Sequence, residues 1–143
     1  MPPLITDIAL SIDDQELFVS CWGTGELKRY DVSDPANPKE TGSVRIGGIV
    51  ANSPHPASGA VNGGPQMVEV SRDGKRVYLT NSLYASWDAQ FYPEGIDGWM
   101  VKLDNNGSLE LDPKFFVEFD GERPHQIRLE GGDASSDSYC FPS

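Results

Sequence analysis

The stretch TDIALSIDDQELFVSCW, residues 6–22, recurs sixty residues later as QMVEVSRDGKRVYLTNS, residues 66–82. Both copies alternate apolar and polar residues on either side of a Ser-x-Asp motif, and this period of two is typical of β-strands. Within the motif, Asp13 and Asp73 are suited to accept hydrogen bonds from the backbone of a tight turn. Each copy therefore predicts a hairpin of two antiparallel strands joined by a Ser-x-Asp turn.

Two further strand patterns follow each hairpin. In the first copy they are ELKRYDV (residues 26–32) and GSVRI (42–46), and in the second they are GWMVKLD (98–104) and FFVEF (115–119). Four antiparallel strands that repeat in this way are typical of β-propeller blades. The sequence therefore predicts an all-β protein, a partial β-propeller with two four-stranded antiparallel blades.

A third copy begins at PHQIRLEGGD, residues 124–133, where Asp133 falls on the position of Asp73. It predicts the first strand of another blade. Propellers close with about four to eight blades. We therefore expect this chain to need missing N-terminal propeller blades or a partner chain, and to be catalytically inert by itself. The expected layout is a blade at 1–46, an inter-blade loop at 47–64, a blade at 65–121 with an inserted aromatic loop at 82–97, and the start of a further blade with a C-terminal tail at 122–143.

The inserted loop contains four aromatic residues, Tyr84, Trp87, Phe91 and Tyr92. Two interpretations are open. The loop is either a packed lid over one end of the propeller, since loops on rigid scaffolds often carry function, or a structural plug between neighbouring blades. The inter-blade loop is rich in Gly, Pro, Ser and Asn, which predicts a flexible connection.

The charge balance restricts the classes of partner. Eleven basic and 22 acidic residues give a formal net charge of −11, which argues against nucleic acid or an anionic membrane surface and favours solubility. No stretch reaches the roughly 18–20 apolar residues that span a bilayer. The first ten residues lack the basic and apolar regions of a signal peptide. The compartment stays open between cytoplasm and periplasm, depending on the N-terminal part.

His125 follows Pro124 at the start of the third copy. The innermost strand of a blade begins at the central channel, so this imidazole would point towards the axis and could bind copper, zinc or iron together with histidines from other blades. The alternative is a structural histidine that hydrogen-bonds to a neighbouring strand. His55 lies between two prolines in the flexible loop, and we expect no metal role there. Cys21 is expected to be a buried thiol and Cys140 an exposed one, and their spacing indicates no disulfide framework.

Four stretches together resemble the C-terminal part of the selenium-binding protein family, which includes the methanethiol oxidases. They are LITDIALSIDDQELFVSCW, LKRYDVSDPANPKETG, NGGPQMVEVSRDGKRVYLTNSLYASWDAQFYP and HQIRLEGGDASSD. The resemblance implies a longer β-propeller that uses copper to oxidise methanethiol with oxygen and water, giving formaldehyde, hydrogen sulfide and hydrogen peroxide. It also implies that His125, which matches the family's histidine before a GGD stretch, is a metal ligand.

Two departures limit what the resemblance transfers. Many animal and plant members have Asn-Trp-Leu-His-Gly where this chain has CWGTG, residues 21–25, so one family histidine is absent. Those members also have cysteine at the position of Ala134. With these differences, the chain resembles a bacterial-type branch of the family. Selenium binding, which the family attributes to its N-terminal part, is assigned to no residue here, and no catalytic residue is assigned.

Two other functions remain compatible with the repeat. One is a non-catalytic propeller scaffold that holds selenium or a protein partner without turnover. The other is a lactonase-like propeller hydrolase, because DGKRVYLTN, residues 73–81, also fits the generic repeat of those enzymes. That repeat describes a blade hairpin rather than a site, so the oxidase is the favoured interpretation.

Overall fold

Two four-stranded antiparallel sheets make up most of the protein. The computed structural model describes residues 1–50, 53–81 and 83–139, so Ser82 of the inserted loop and Cys140 lie outside the described residues. The elements in chain order are β1 (Ile5–Leu10), β2 (Glu16–Cys21), β3 (Glu26–Asp31), β4 (Lys39–Arg45), β5 (Pro54–His55), β6 (Gly59–Ala60), β7 (Pro65–Val70), β8 (Arg76–Asn81), α1 (Ala85–Phe91), β9 (Gly98–Asn106) and β10 (Ser108–Phe119). Strands β1 to β4 form blade 1 and β7 to β10 form blade 2, with each strand hydrogen-bonded to the next along the chain. The predicted all-β fold with two antiparallel blades is confirmed.

The two Ser-x-Asp turns have the same hydrogen bonds. The Ser11 hydroxyl donates to Asp13 Oδ1 at 2.6 Å, and the same oxygen accepts a backbone N–H two residues further on at 3.2 Å. In the second turn Ser71 donates to Asp73 at 2.5 Å, and the corresponding N–H lies at 3.0 Å. The residue after each aspartate has a positive φ, 57° in the first turn and 70° in the second. The sequence repeat therefore produces one turn geometry twice.

The blades pack face to face. Strands β1 and β2 lie against β7, and β4 lies against β10. The apolar core between them is formed by Phe18, Leu27, Ile46, Val61, Val68, Val70, Val77, Leu79, Trp99, Val101, Leu103 and Leu109. Burying one side chain of this kind contributes about 1.5–3 kcal/mol relative to leaving it exposed. The contact between blades is thus a hydrophobic core and not a chance approach of two sheets.

A buried arginine joins the two blades near the Ser-x-Asp turns. Arg29 in β3 is 7% exposed. Its guanidinium donates to Asn105 Oδ1 and, at 3.1 Å, to the Gly107 carbonyl, both in blade 2. On its own blade it donates to the Thr41 hydroxyl at 3.0 Å and lies 3.6 Å from a Glu16 carboxylate oxygen. A buried guanidinium needs such partners, and here half of them belong to the neighbouring sheet.

The inter-blade segment contains a short hairpin that its composition did not indicate. Strands β5 and β6 form a short hairpin, and His55 within it is 2% exposed. Its Nδ1 accepts the Ala57 N–H at 3.0 Å, and its ring packs against Phe116 with centroids 5.0 Å apart. The flanking prolines gave no signal of this burial, because the apolar partner lies in a distant strand.

The inserted aromatic segment contains the helix α1 and packs on the neighbouring blade. Trp22 from blade 1 is fully buried. Its ring lies 6.1 Å from Trp87, 5.5 Å from Phe91 and 6.4 Å from Tyr92, measured between centroids. Edge-to-face aromatic contacts of this kind add to hydrophobic burial. Of the two interpretations, contact between blades is the one that these distances support.

The C-terminal stretch lies beside the first strand of blade 2. Residues 122–129 have no strand partner among the described residues, and two 3₁₀ turns follow, at Glu130–Gly132 and Ser135–Tyr139. One isolated antiparallel bridge joins Ser71 to Ala134. The expected opening strand of a further blade therefore has no neighbouring strand to pair with in the described part of the chain. Among all the residues that the structure describes, no helix is long and apolar enough to cross a bilayer.

Asp133 does not form a third Ser-x-Asp turn. Its carboxylate lies 2.6 Å from Arg76, and its carbonyl accepts the Arg72 N–H at 2.6 Å. The reason is in the sequence, since Gly131 stands where the two repeats have serine and supplies no hydroxyl. The residue that matches the repeat instead holds the C-terminal stretch against blade 2.

Candidate functional site at the first strands of the blades

A cleft of about 340 Å³ opens where the first strands of the two blades meet the C-terminal stretch. Its walls come from β1, β7 and two C-terminal pairs of residues, 126–127 and 135–136. Apolar walls combined with a few polar groups are typical of small-molecule sites. The lining residues are Asp7, Ile8, Ala9, Leu10, Leu17, Met67, Val68, Glu69, Gln126, Ile127, Ser135 and Ser136.

Asp7 presents a half-buried carboxylate to this cleft. Its Oδ2 accepts the Val68 N–H at 2.8 Å, which joins β1 to β7. The pKa of Asp7 is raised above its ordinary value, chiefly because burial desolvates the carboxylate and in addition because of the Glu69 charge. Backbone hydrogen bonds and the charge of His125 act in the opposite direction. Asp7 is therefore a carboxylate in a poorly hydrated environment.

Glu69 is the second carboxylate of the cleft and is 7% exposed. Its Oε2 accepts the Ser136 hydroxyl at 2.5 Å. Its Oε1 accepts the Val70 N–H at 3.0 Å and the Ser135 hydroxyl at 3.3 Å. A buried carboxylate without such donors would be strongly unfavourable. Glu69 therefore holds the 3₁₀ turn Ser135–Tyr139 against β7 and closes one wall of the cleft.

His125 is exposed to solvent at the edge of this region. Within residues 1–50, 53–81 and 83–139, no three His, Cys, Asp or Glu side chains are grouped so that they could hold a metal ion. Imidazole is a suitable copper ligand, but a metal at His125 would need most of its ligands from outside the described chain. The ligand role of His125 stays a prediction.

Three contacts position the segment that carries His125. Gly98 leaves space for it, because a Cβ there would lie 2.3 Å from the Glu122 carbonyl oxygen and 2.5 Å from Pro124 Cδ. Arg123 forms an ion pair with Asp88 of α1. Two residues after His125, the side chain of Ile127 is buried. Side-chain contacts rather than a strand ladder thus determine where the imidazole lies.

The other candidate residues do not join this site. His55 is buried against Phe116, and its Nε2 has no hydrogen-bond partner among the described residues. Cys21 is a buried free thiol, as predicted, and burial raises its pKa. Ala134, where relatives are expected to have cysteine, is fully buried. The prediction for Cys140 falls outside the described residues.

Sequence reasoning missed the two cleft carboxylates. A weak signal was available, because an acidic residue lies in each of the two first strands, Asp7 in ITDIAL and Glu69 in PQMVEV. An acidic residue within a buried strand is uncommon unless it has a partner or a function. The partners themselves lie about sixty residues away, and the sequence does not indicate which residues these are.

Comparison with known proteins agrees with the fold and the sequence. The profile of the family described as 56kDa selenium binding protein (SBP56) matches residues 1–140. The methanethiol oxidases of Xenopus tropicalis and Homo sapiens are each 42% identical over 96% of this chain and 35% of their own length. An X-ray structure of a hypothetical selenium-binding protein from Sulfolobus tokodaii is 59% identical, with a TM-score of 0.90 over 98% of this chain and 31% of that protein. The chain spans about a third of the length of these relatives. It belongs to the 56 kDa selenium-binding protein family.

Proposed function

We propose that this chain is the C-terminal part of a copper-dependent methanethiol oxidase, in which His125 supplies one imidazole ligand to copper. The carrying observation is that the exposed imidazole of His125 directly precedes Gln126 and Ile127, which line the cleft formed by the first strands of both blades. The relatives named methanethiol oxidase at 42% identity support the same activity. The other copper ligands would come from residues outside this chain.

The chemistry of the cleft suits this proposal. Bound copper would supply redox chemistry and a soft Lewis acid for a thiolate substrate. Asp7 and Glu69 both line the cleft, and their carboxylates would favour a cation there, since opposite charges attract strongly at low dielectric. The apolar walls from Leu17, Met67 and Ile127 suit a small methyl-bearing substrate and limit the access of water.

We further propose that additional blades of the same repeat cover the outer face of blade 1. At the offset of sixty residues, Ile8 and Leu10 correspond to Val68 and Val70. The two valines are 6% and 0% exposed because blade 1 covers them, whereas Ile8 and Leu10 are 59% and 39% exposed. Because β1 and β7 occupy the same place in their blades, we expect a further blade to cover the apolar residues of β1 as blade 1 covers those of β7. The occupant we expect is a preceding four-stranded blade.

The metal role is tested in the complete protein that carries this sequence with the remaining blades. Copper content is measured by mass spectrometry and turnover by methanethiol-dependent peroxide formation. We expect His125→Ala to lose copper and turnover, and the matched control His55→Asn to keep both. A His125→Ala protein with wild-type copper and turnover would remove this residue from the site. A complete wild-type protein without copper or turnover would favour the non-catalytic scaffold.

The blade contact has its own test. The remaining blades are produced as a separate chain and mixed with this chain, and association is measured by analytical ultracentrifugation. Ile8→Arg should weaken association by at least tenfold. Ile12→Arg is the control, because Ile12 is also exposed but corresponds to the exposed Arg72. Equal effects of the two substitutions would contradict the proposed contact.

A further inference from the structure

We propose that Asp88, in the inserted helix α1, is a positioning residue for His125 and acts through Arg123. This inference rests on the proposed function, because it assigns a role in that same site to a residue that does not line the cleft. The Asp88–Arg123 ion pair joins the insertion to a point two residues before His125. Two residues of extended chain span at most about 7 Å, so a displacement of Arg123 displaces the imidazole.

The segment that carries His125 has few other attachments. Between residues 120 and 132, no backbone hydrogen bond joins it to the described strands, and the Arg72 N–H contacts the chain only at Asp133. Segments that lack a hydrogen-bonded ladder and dense packing open at low free-energy cost. The ion pair to Asp88, the space at Gly98, the buried Ile127 side chain and the Arg128–Asp137 ion pair are therefore the contacts that hold this segment.

The burial of Asp88 indicates that this ion pair is specific. The Asp88 side chain is 2% exposed, whereas that of Arg123 is 44% exposed. Carboxylates are almost never fully buried unless they have a partner. The partners of Asp88 include Arg123, which donates to Oδ2, and the Leu83 N–H, which lies 3.5 Å from Oδ1. Removal of the arginine would take the opposite charge away from this buried carboxylate, so the pair constrains both segments.

Helix α1 is in turn held by aromatic contacts with blade 1. Trp87 and Phe91 on this helix pack against Trp22 of blade 1, with centroids 6.1 and 5.5 Å apart. A continuous set of contacts therefore runs from blade 1 through α1 and the ion pair to the residue before Pro124. The insertion in blade 2 positions the imidazole relative to blade 1, whose strand β1 supplies the cleft carboxylate Asp7.

The test compares Asp88→Asn and Arg123→Gln with the control Arg128→Gln in the complete protein. Arg128 lies three residues after His125, and its side chain, which is 59% exposed, forms an ion pair with Asp137 at 2.9 Å. Copper affinity is measured by competition with a chelator, and ligand geometry by electron paramagnetic resonance. We expect Asp88→Asn and Arg123→Gln each to weaken copper binding by about 10- to 100-fold and to change the spectrum. The double variant should be no weaker than either single variant.

Hydrogen exchange supplies a readout that needs no copper. In metal-free protein, the backbone amides of residues 122–129 should exchange faster in Asp88→Asn than in wild type and Arg128→Gln. Arg123→Lys, which keeps the charge, should restore part of the protection lost in Arg123→Gln. Unchanged exchange and unchanged copper affinity in Asp88→Asn would overturn the inference. If wild type binds no copper, the proposed function fails, and exchange alone still decides whether Asp88 positions this segment.

Discussion

Replacing Arg29 by methionine should weaken the contact between the blades far more than replacing its neighbour Lys28. Methionine keeps most of the aliphatic volume but removes the guanidinium. The change deletes the hydrogen bonds to Asn105 and Gly107 in blade 2, and it leaves the buried Asn105 oxygen without that donor. Each buried group left unsatisfied costs about 1–3 kcal/mol. Glu16 is nearly a third exposed, so water compensates part of the lost ion pair.

The expected loss of unfolding free energy is about 3 kcal/mol, the sum of two such groups at moderate burial. For a urea m-value of about 2 kcal/mol/M, the unfolding midpoint would fall by about 1.5 M. The measurement is urea unfolding followed by tryptophan fluorescence and circular dichroism. Trp22 and Trp99 lie in the packed regions and report on loss of the blade contact.

Lys28→Met is the matched control for this experiment. Lys28 is the adjacent residue on β3, its side chain points to the opposite face, and its ion pair with Glu40 at 2.8 Å is largely exposed. Exposed pairs of this type contribute little to stability, so the midpoint should barely move. Equal midpoints for Arg29→Met and Lys28→Met would refute the reasoning.

Three further outcomes are expected. Because hydrogen bonds from Ser11 and Ser71 lower the pKa of Asp13 and Asp73, these aspartates contribute stability above the ordinary value of 3.8 that is lost as pH falls below it. Substituting both with asparagine should flatten the acid side of a plot of urea midpoint against pH, and an unchanged slope would contradict this. Gly98→Ala should lower stability by about 1–3 kcal/mol through steric overlap, measured as a reduced urea midpoint, and a wild-type midpoint would show that the 122–129 segment can move aside. The buried thiol of Cys21, with its raised pKa, should react with a thiol reagent only on unfolding, so folded wild type and Cys21→Ser should give equal labelling.

The hairpins could be predicted from sequence because their determinants are local. Asp13 accepts bonds from residues two positions away, and strand alternation has a period of two. Family membership likewise followed from contiguous stretches. The same approach predicted the first strand of a further blade at residues 124–133, where Asp133 matches the repeat but Gly131 replaces the serine of the motif. A single local difference redirected the Asp133 carboxylate to Arg76.

The composition of the cleft could not be predicted in the same way. Asp7 bonds to a residue 61 positions away, and Glu69 to one 67 positions away. Packing of one sheet on the other brings these distant residues into contact. No local sequence pattern predicts which side chains then meet. The burial of His55 against Phe116 and the contact of α1 with Trp22 have the same origin.

The amino-acid sequence by itself determined two four-stranded blades, their repeated turns, the family and one candidate imidazole, because each depends on short-range hydrogen bonds or contiguous motifs. The tertiary structure alone decided that two carboxylates line a cleft beside that imidazole and that an aspartate in the insertion pairs with Arg123. It also decided that the face of blade 1 that carries Ile8 and Leu10 is exposed. These features arise from contacts between sheets, whose free energy depends on side chains far apart in the chain.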